Sequence, residues 1–204
     1  MLTIVDYGVG NLGSLTKMFG RLGIETERTA DANRIAEATR LILPGVGAFD
    51  AAIRRLRDEG LEAPLRRAVI ERRVPVLGVC LGMQLLGLVS EEGAEPGLGW
   101  LPARTVRLPD VTADGVSQRL PHMGWASVRP VVPNALLVAE GPPRFYFVHS
   151  YHLKCADASD ELGRAAYGVM FTAAVHRENV WGVQFHPEKS HRYGQALLKR
   201  FAEL

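Results

Sequence analysis

The stretch Val74–Val89, VPVLGVCLGMQLLGLV, decides how this chain folds. It begins as a short apolar run (Val74, Val76, Leu77, Val79) of the kind that fills a strand buried on both faces. It ends as a helix-like segment with Met83, Leu86 and Leu88 among small residues. Between the two lies Gly78-Val79-Cys80-Leu81-Gly82, a nucleophile with a glycine two positions away on each side. A strand-to-helix turn that strains its central residue crowds the neighbours, and glycine relieves the crowding. Such a turn aims the nucleophile at the start of the next helix, where free N–H groups and the helix dipole favour a thiolate. The pentapeptide alone fits a buried core cysteine between packing glycines equally well.

A second stretch shifts that balance. Val180–Glu188, VWGVQFHPE, is an apolar run that ends in His186 and Glu188. In an extended segment, residues two apart share a side, so one carboxylate can orient one imidazole. A cysteine, a histidine to take its proton and an acid to hold the histidine are the parts of an acyl-transfer triad.

GVCLGMQ and FHPEKS together resemble the class I (triad) glutamine amidotransferases. The likeness continues through IVDYGVGNLGS, LPGVGAF, LPHMGW and YFVHSYH, so it spans nearly the whole chain. Within the family it is nearest to the glutaminase subunits that supply ammonia to a (β/α)8-barrel synthase in histidine biosynthesis. Glutaminases of anthranilate or pyridoxal phosphate synthesis share the triad but are expected to lack DYGVGNL, PHMGW and the lysine after HPE. A non-catalytic scaffold or regulatory subunit of this fold is expected to have lost a triad residue, and none is lost.

The resemblance implies a three-layer, flavodoxin-like α/β fold, with a mainly parallel central sheet and a smaller antiparallel extension, as a single domain over residues 1–204. It implies a triad of Cys80, His186 and Glu188, with the N–H groups of Val46 and Leu81 as oxyanion donors. Gly47, Gln84, Glu92, Ser150 and Tyr151 would hold the amino-acid end of L-glutamine. Asn11, Pro121, Met123, Trp125, Tyr146 and Lys189 would face the barrel partner. Neither a metal nor an organic cofactor is implied. Gly87-Leu88-Val89 departs from relatives, which carry a larger aromatic or acidic residues there, so the helix behind the nucleophile is expected to pack differently.

Other features narrow the class. With 204 residues the chain can bury one good core but not two full domains and a linker. A net charge of +2 gives no argument for nucleic acid. Only four of the 24 basic residues are lysines, and clusters such as Arg54-Arg55-Arg57 sit beside acids, as on a solvated helix face. Two cysteines without disulfide spacing suit a reducing compartment. MLTIVDYG begins a strand at once, without the pattern of a signal peptide, and the longest apolar run is too short to cross a bilayer. A cytoplasmic location is expected.

In chain order, Leu2–Val5 is the first strand, followed by Gly8-Val-Gly-Asn-Leu-Gly13 and a helix through Phe19 and Leu22. That hexapeptide matches the dinucleotide-binding fingerprint, but a lone fingerprint is a weak signal and the chain has little room for a separate substrate domain; glycines that let a helix start close to a strand end cover the pattern. Leu41–Leu43 is the next strand, expected to break at Pro44 into an irregular loop whose backbone could supply oxyanion donors. Helices follow over Phe49–Leu56 and Leu61–Glu71, and then a polar loop over Glu91–Gly99. Alternating segments come after it at 104–108, 124–129, 145–152, 165–171 and 173–176. Ser190 is expected to cap a last helix that packs through Tyr193, Leu197, Phe201 and Leu204. His149, His152 and Cys155 are three apart on one extended segment, which alternates faces and cannot converge on a metal. His122 is expected to pack on Trp125, and His176 and His191 show no local partner.

Overall fold

The computed structural model describes residues 1–112 and 114–204. The first half alternates strand and helix: β1 (Leu2–Val5), α1 (Leu12–Arg21), β2 (Thr26–Thr29), α2 (Ala32–Glu37), β3 (Arg40–Gly45) and α3 (Phe49–Asp58). Then come α4 (Glu62–Arg66), which continues into a π-helical turn at Arg67–Glu71, β4 (Val76–Cys80) and α5 (Leu81–Leu85). The second half is strand-rich: β5 (Val89–Ser90), β6 (Ala103–Arg107), β7 (His122–Ser127), β8 (Arg129–Pro130) and β9 (Arg144–His149). It closes with β10 (Tyr151–Cys155), β11 (Glu161–Tyr167), β12 (Val169–Arg177), β13 (Val180–Val183) and α6 (His191–Glu203).

The main sheet runs in the order β2-β1-β3-β4-β13-β12-β11-β8. Its first five strands are parallel and its last three antiparallel. Parallel strands carry apolar residues on both faces because helices cover both. Ile4, Ile42, Leu77 and Val79 face Leu15 and Phe19 of α1 and Leu197 and Phe201 of α6. Val5, Leu41, Leu43 and Val76 face Ile35, Ile53, Leu56 and Leu65 from α2, α3 and α4. The three layers and the mainly parallel sheet match the expected fold. Two further small sheets, β10-β6-β5 and β7-β9, were not legible in the sequence. No described helix is long and apolar enough to cross a membrane.

Several boundaries differ from expectation. Pro44 and Gly45 belong to β3, paired with Val79 and Cys80. Pairing with β1 stops at Ile42, so the missing N–H of Pro44 costs no ladder bond on that side. α5 ends at Leu85, and Leu88 lies outside it with 49 % of its surface exposed. The departure at Gly87-Leu88-Val89 therefore falls in the turn after the helix and the first residue of β5, and a Cβ on Gly87 would lie 2.9 Å from the Ala103 carbonyl oxygen. The segment 145–152 is two strands in two sheets, divided at Ser150. The segment 165–171 is divided by a hairpin turn at Gly168, whose φ is +65°. Leu204 is exposed rather than packed.

Candidate active site

β4 ends in Cys80, which adopts φ 56° and ψ −113°. A non-glycine residue with positive φ is strained and persists only when its surroundings hold it. The two flanking glycines make this possible by backbone contact. A Cβ on Gly78 would lie 2.7 Å from the Met83 Cα, and one on Gly82 would collide with the Leu43 carbonyl. α5 therefore starts pressed against both β3 and β4. It has only five residues, so the expected dipole is small. What remains is the N–H of Leu81, its first residue, which has no intrahelical acceptor. Gly45 is level with Cys80 across the sheet, which sets Val46 and Gly47 beside the elbow.

β13 is the neighbour of β4, with Val183 opposite Val79, so the chain leaves the sheet at the same end as Cys80. His186 follows, its N–H bonded to the Tyr146 carbonyl at 2.9 Å. Its Nδ1 lies 2.9 Å from Glu188 Oε1, with both side chains buried. The expected pairing is present, but its cause is different. Glu188 lies in a 3-10 turn, Pro187–Lys189, so the carboxylate folds back rather than projecting from an extended strand. Ser190 stands at the N-cap of α6 without capping it. Its hydroxyl instead donates to the His186 carbonyl at 2.6 Å and accepts from the Tyr146 N–H at 3.0 Å, stapling this turn to β9. Burial disfavours a charged imidazole, but bonds to the Cys80 sulfur and the Glu188 carboxylate outweigh it and raise His186 to about 9. A protonated imidazole beside the sulfur is the partner a cysteine needs in order to attack as the thiolate.

A cleft of about 290 Å³ opens over Cys80 and His186. Val46, Gly47, Leu81, Gln84, Glu92, Ser150, Tyr151 and Lys189 all line it, so the expected oxyanion and substrate positions converge there. Glu92 accepts from the Phe49 N–H at the start of α3 at 3.0 Å, and partial burial pushes its carboxyl up. Gln84 is buried and directed inward, its amide donating to the Tyr151 carbonyl at 2.9 Å and to Gln184 Oε1 at 3.1 Å. Gln184, 0 % exposed, points its own amide nitrogen at Cys80 Sγ, 3.8 Å away. Neither Gln184 nor His149, which also lines the cleft, was singled out for the site from the sequence.

His149 Nδ1 bonds the Tyr151 carbonyl at 2.9 Å, and its Nε2 lies 3.1 Å from His122 Nδ1. His122 stacks on Tyr167 and Phe147, not on Trp125. Trp125 stacks instead on His191, and His176 on Trp181, so both histidines have partners. His149 and His152 belong to different strands, so the single-strand argument about a metal does not apply. Among the described residues no group of three His, Cys, Asp or Glu could hold an ion. The glycines of the 8–13 loop serve packing: a Cβ on Gly10 would lie 2.8 Å from the Pro44 Cβ.

Burial lowers His149 to about 3 and His122 to about 4, which keeps both neutral. A folded-state histidine held below its unfolded value stabilises the fold above that value and loses the contribution as pH falls. Denaturant titrations should thus show stability declining from pH 6.5 towards 3, with His149 alone accounting for about 2 kcal/mol at pH 5. Equal stability at pH 7.5 and pH 5 would contradict a neutral buried pair.

Met123 and Trp125 project from one face of β7 and are 62 % and 39 % exposed. Trp125 meets the Tyr146 ring edge-on, and Lys189 Nζ lies 5.8 Å from the centre of that ring. Pro121 is exposed, and Asn11 is half-buried just after the carboxyl end of β1. Of these residues Lys189 lines the cleft.

Comparison with known proteins bears on this geometry. The family model described as glutamine amidotransferase class-I matches residues 3–204. The chain is 48 % identical to "Imidazole glycerol phosphate synthase subunit HisH 2" of Pseudomonas aeruginosa, with 100 % of both chains covered. It is 49 % identical to "Imidazole glycerol phosphate synthase subunit HisH" of Salinibacter ruber, over 100 % of this chain and 94 % of that one. A solved structure titled "Crystal structure of glutamine amidotransferase" shares its fold, with a TM-score of 0.76 at 22 % identity over 99 % of this chain and 97 % of the other.

Proposed function

The chain belongs to the class-I glutamine amidotransferases, and from that premise we propose that it is the glutaminase subunit of an imidazole glycerol phosphate synthase, acting in histidine biosynthesis. Full-length likeness to proteins named as subunits of that synthase supports this. The observation that carries the chemistry is Cys80 on its strained turn, lining one cleft with His186, whose Nδ1 is held by Glu188. The Cys80 thiolate attacks the side-chain amide carbon of L-glutamine, and the developing oxyanion is met by the N–H groups of Val46 and Leu81. His186 gives its proton to the departing ammonia, leaving a glutamyl thioester on Cys80. His186 then takes a proton from water as the water oxygen adds to the thioester carbon; the C–S bond breaks, glutamate leaves with one proton released to solvent, and the Cys80 thiolate and protonated His186 are restored. Glu188 holds the imidazole in one tautomer throughout. Gly47, Gln84, Glu92, Ser150 and Tyr151 hold the amino-acid end of the substrate. All of this chemistry is carried by a single domain in the cytoplasm, with no metal or organic cofactor.

The ammonia goes to a (β/α)8-barrel synthase subunit docked on Asn11, Pro121, Met123, Trp125, Tyr146 and Lys189. A sealed passage has a chemical purpose, because ammonia released to neutral water is protonated and ceases to be a nucleophile.

Glu188 provides the direct test of the triad. Glu188→Gln keeps the shape and removes the charge, so kcat for glutamine hydrolysis should fall about a hundredfold or more with KM nearly unchanged. Loss of affinity with kcat preserved would make Glu188 a binding residue instead.

A further inference from the structure

The triad leaves one buried polar side chain beside the sulfur without a role. Gln184 is completely buried in the turn that follows β13, two residues before His186. Its amide orientation is fixed by its neighbour. Gln84 Nε2 spends its two hydrogens on the Tyr151 carbonyl and on Gln184 Oε1. That makes the Gln184 oxygen an acceptor and leaves its NH2 group facing Cys80 Sγ at 3.8 Å. Tyr151 is held in turn by the His149 imidazole, itself bonded to His122. The donor aimed at the sulfur is thus the end of an unbroken hydrogen-bonded chain: His122, His149, the Tyr151 carbonyl, Gln84, Gln184. Each link is satisfied, which is what a buried polar network needs in order to fix a geometry.

We propose that Gln184 is a further catalytic residue, whose amide N–H stabilises and aims the Cys80 thiolate, with Gln84 fixing its orientation. This rests on Cys80 being the nucleophile. A thiol gains little from an N–H donor, whereas a thiolate gains a charge-assisted bond, and here both partners are buried. The donor also meets Sγ from the β13 side, independently of the elbow backbone, so it restricts where the sulfur can swing. The other titratable groups near Sγ are His186 and Tyr7, with Glu92, His149 and Lys189 further round the cleft. The Tyr7 hydroxyl is committed to the Pro44 carbonyl at 2.6 Å, so it is not free to donate to the sulfur.

Two variants separate this role from packing. Gln184→Met keeps the length and removes the amide. Gln184→Glu keeps an acceptor for Gln84 and withdraws the donor from Cys80. The readout is the rate of Cys80 alkylation by iodoacetamide against pH, measured on the full chain with Cys80→Ala as the blank. Alkylation consumes the thiolate without needing glutamine or an oxyanion hole. In Gln184→Met the midpoint of the profile should move up by about one pH unit, and further in Gln184→Glu. Profiles that superimpose on the parent would overturn the proposal even if glutamine turnover fell, because turnover also depends on packing. Should Gln184→Met fail to fold, Gln184→Leu takes its place, because the carboxylate of Gln184→Glu raises the thiol by repulsion whether or not the native amide donates. A shifted profile in a chain that never hydrolyses glutamine would support the role of Gln184 and discard the glutaminase reading, so the two stand or fall separately.

Discussion

Glutamine hydrolysis by the isolated chain should be weak, and should rise by about 10²- to 10³-fold when a (β/α)8-barrel synthase subunit and its nucleotide substrate are added, the effect of one oxyanion-hole donor brought into place. The reason lies in how unequally the two proposed donors are held. Leu81 is locked into the elbow between β4 and α5, with Gly82 pressed on the Leu43 backbone. Val46 comes just after the last residue of β3, is 43 % exposed, and is followed by Gly47 with a φ of +91°. The locked donor is ready, and the exposed one can be positioned by whatever covers the cleft mouth. Lys189 lines that cleft, directly after Glu188 and beside the Tyr146 ring, so it links the proposed docking face to the turn that holds the proposed triad pair. Lys189→Ala should reduce the gain while the complex still assembles. Full activity of the purified chain alone, or a Lys189→Ala complex that responds normally, would remove the case for partner control.

What was legible in the sequence was written in short-range pattern. The elbow could be read because each glycine two residues from Cys80 answers a backbone contact, one with Met83 and one with Leu43. The parallel half could be read because strands buried on both faces give plain apolar runs. The antiparallel half was blurred because strand formers run on through its breaks. Phe145–His152 offers only Ser150 as punctuation, and the hairpin between β11 and β12 offers only Gly168. Nothing in the composition of either stretch says that neighbouring strands join different sheets.

The site divided in the same way. His186 and Glu188 lie two apart, and local geometry brings them together, although through a turn rather than a strand. Gln184 looks like an ordinary interruption of an apolar run, and its partners Gln84 and Cys80 are 100 and 104 residues away. His122 and His149 meet only because β7 and β9 pair with that register. Side-chain partners across strands depend on topology, and no spacing along the chain encodes them.

The largest single effect should come from Cys80. Removing the sulfur removes the bond-forming atom, and losses of about 10⁴-fold or more follow loss of a triad nucleophile. The other cysteine cannot substitute. Cys155 lies in β10, away from the cleft, and burial together with nearby acids pushes its thiol up to about 12. Cys80→Ala also leaves every residue of the proposed docking face unchanged, so assembly with the proposed partner should survive. The most direct measurement is product formation by the assembled Cys80→Ala complex, supplied in parallel with glutamine and with an ammonium salt at alkaline pH. No product from glutamine, and near-parental synthesis from ammonium, is the expected outcome. Substantial product from glutamine would contradict Cys80 as the nucleophile.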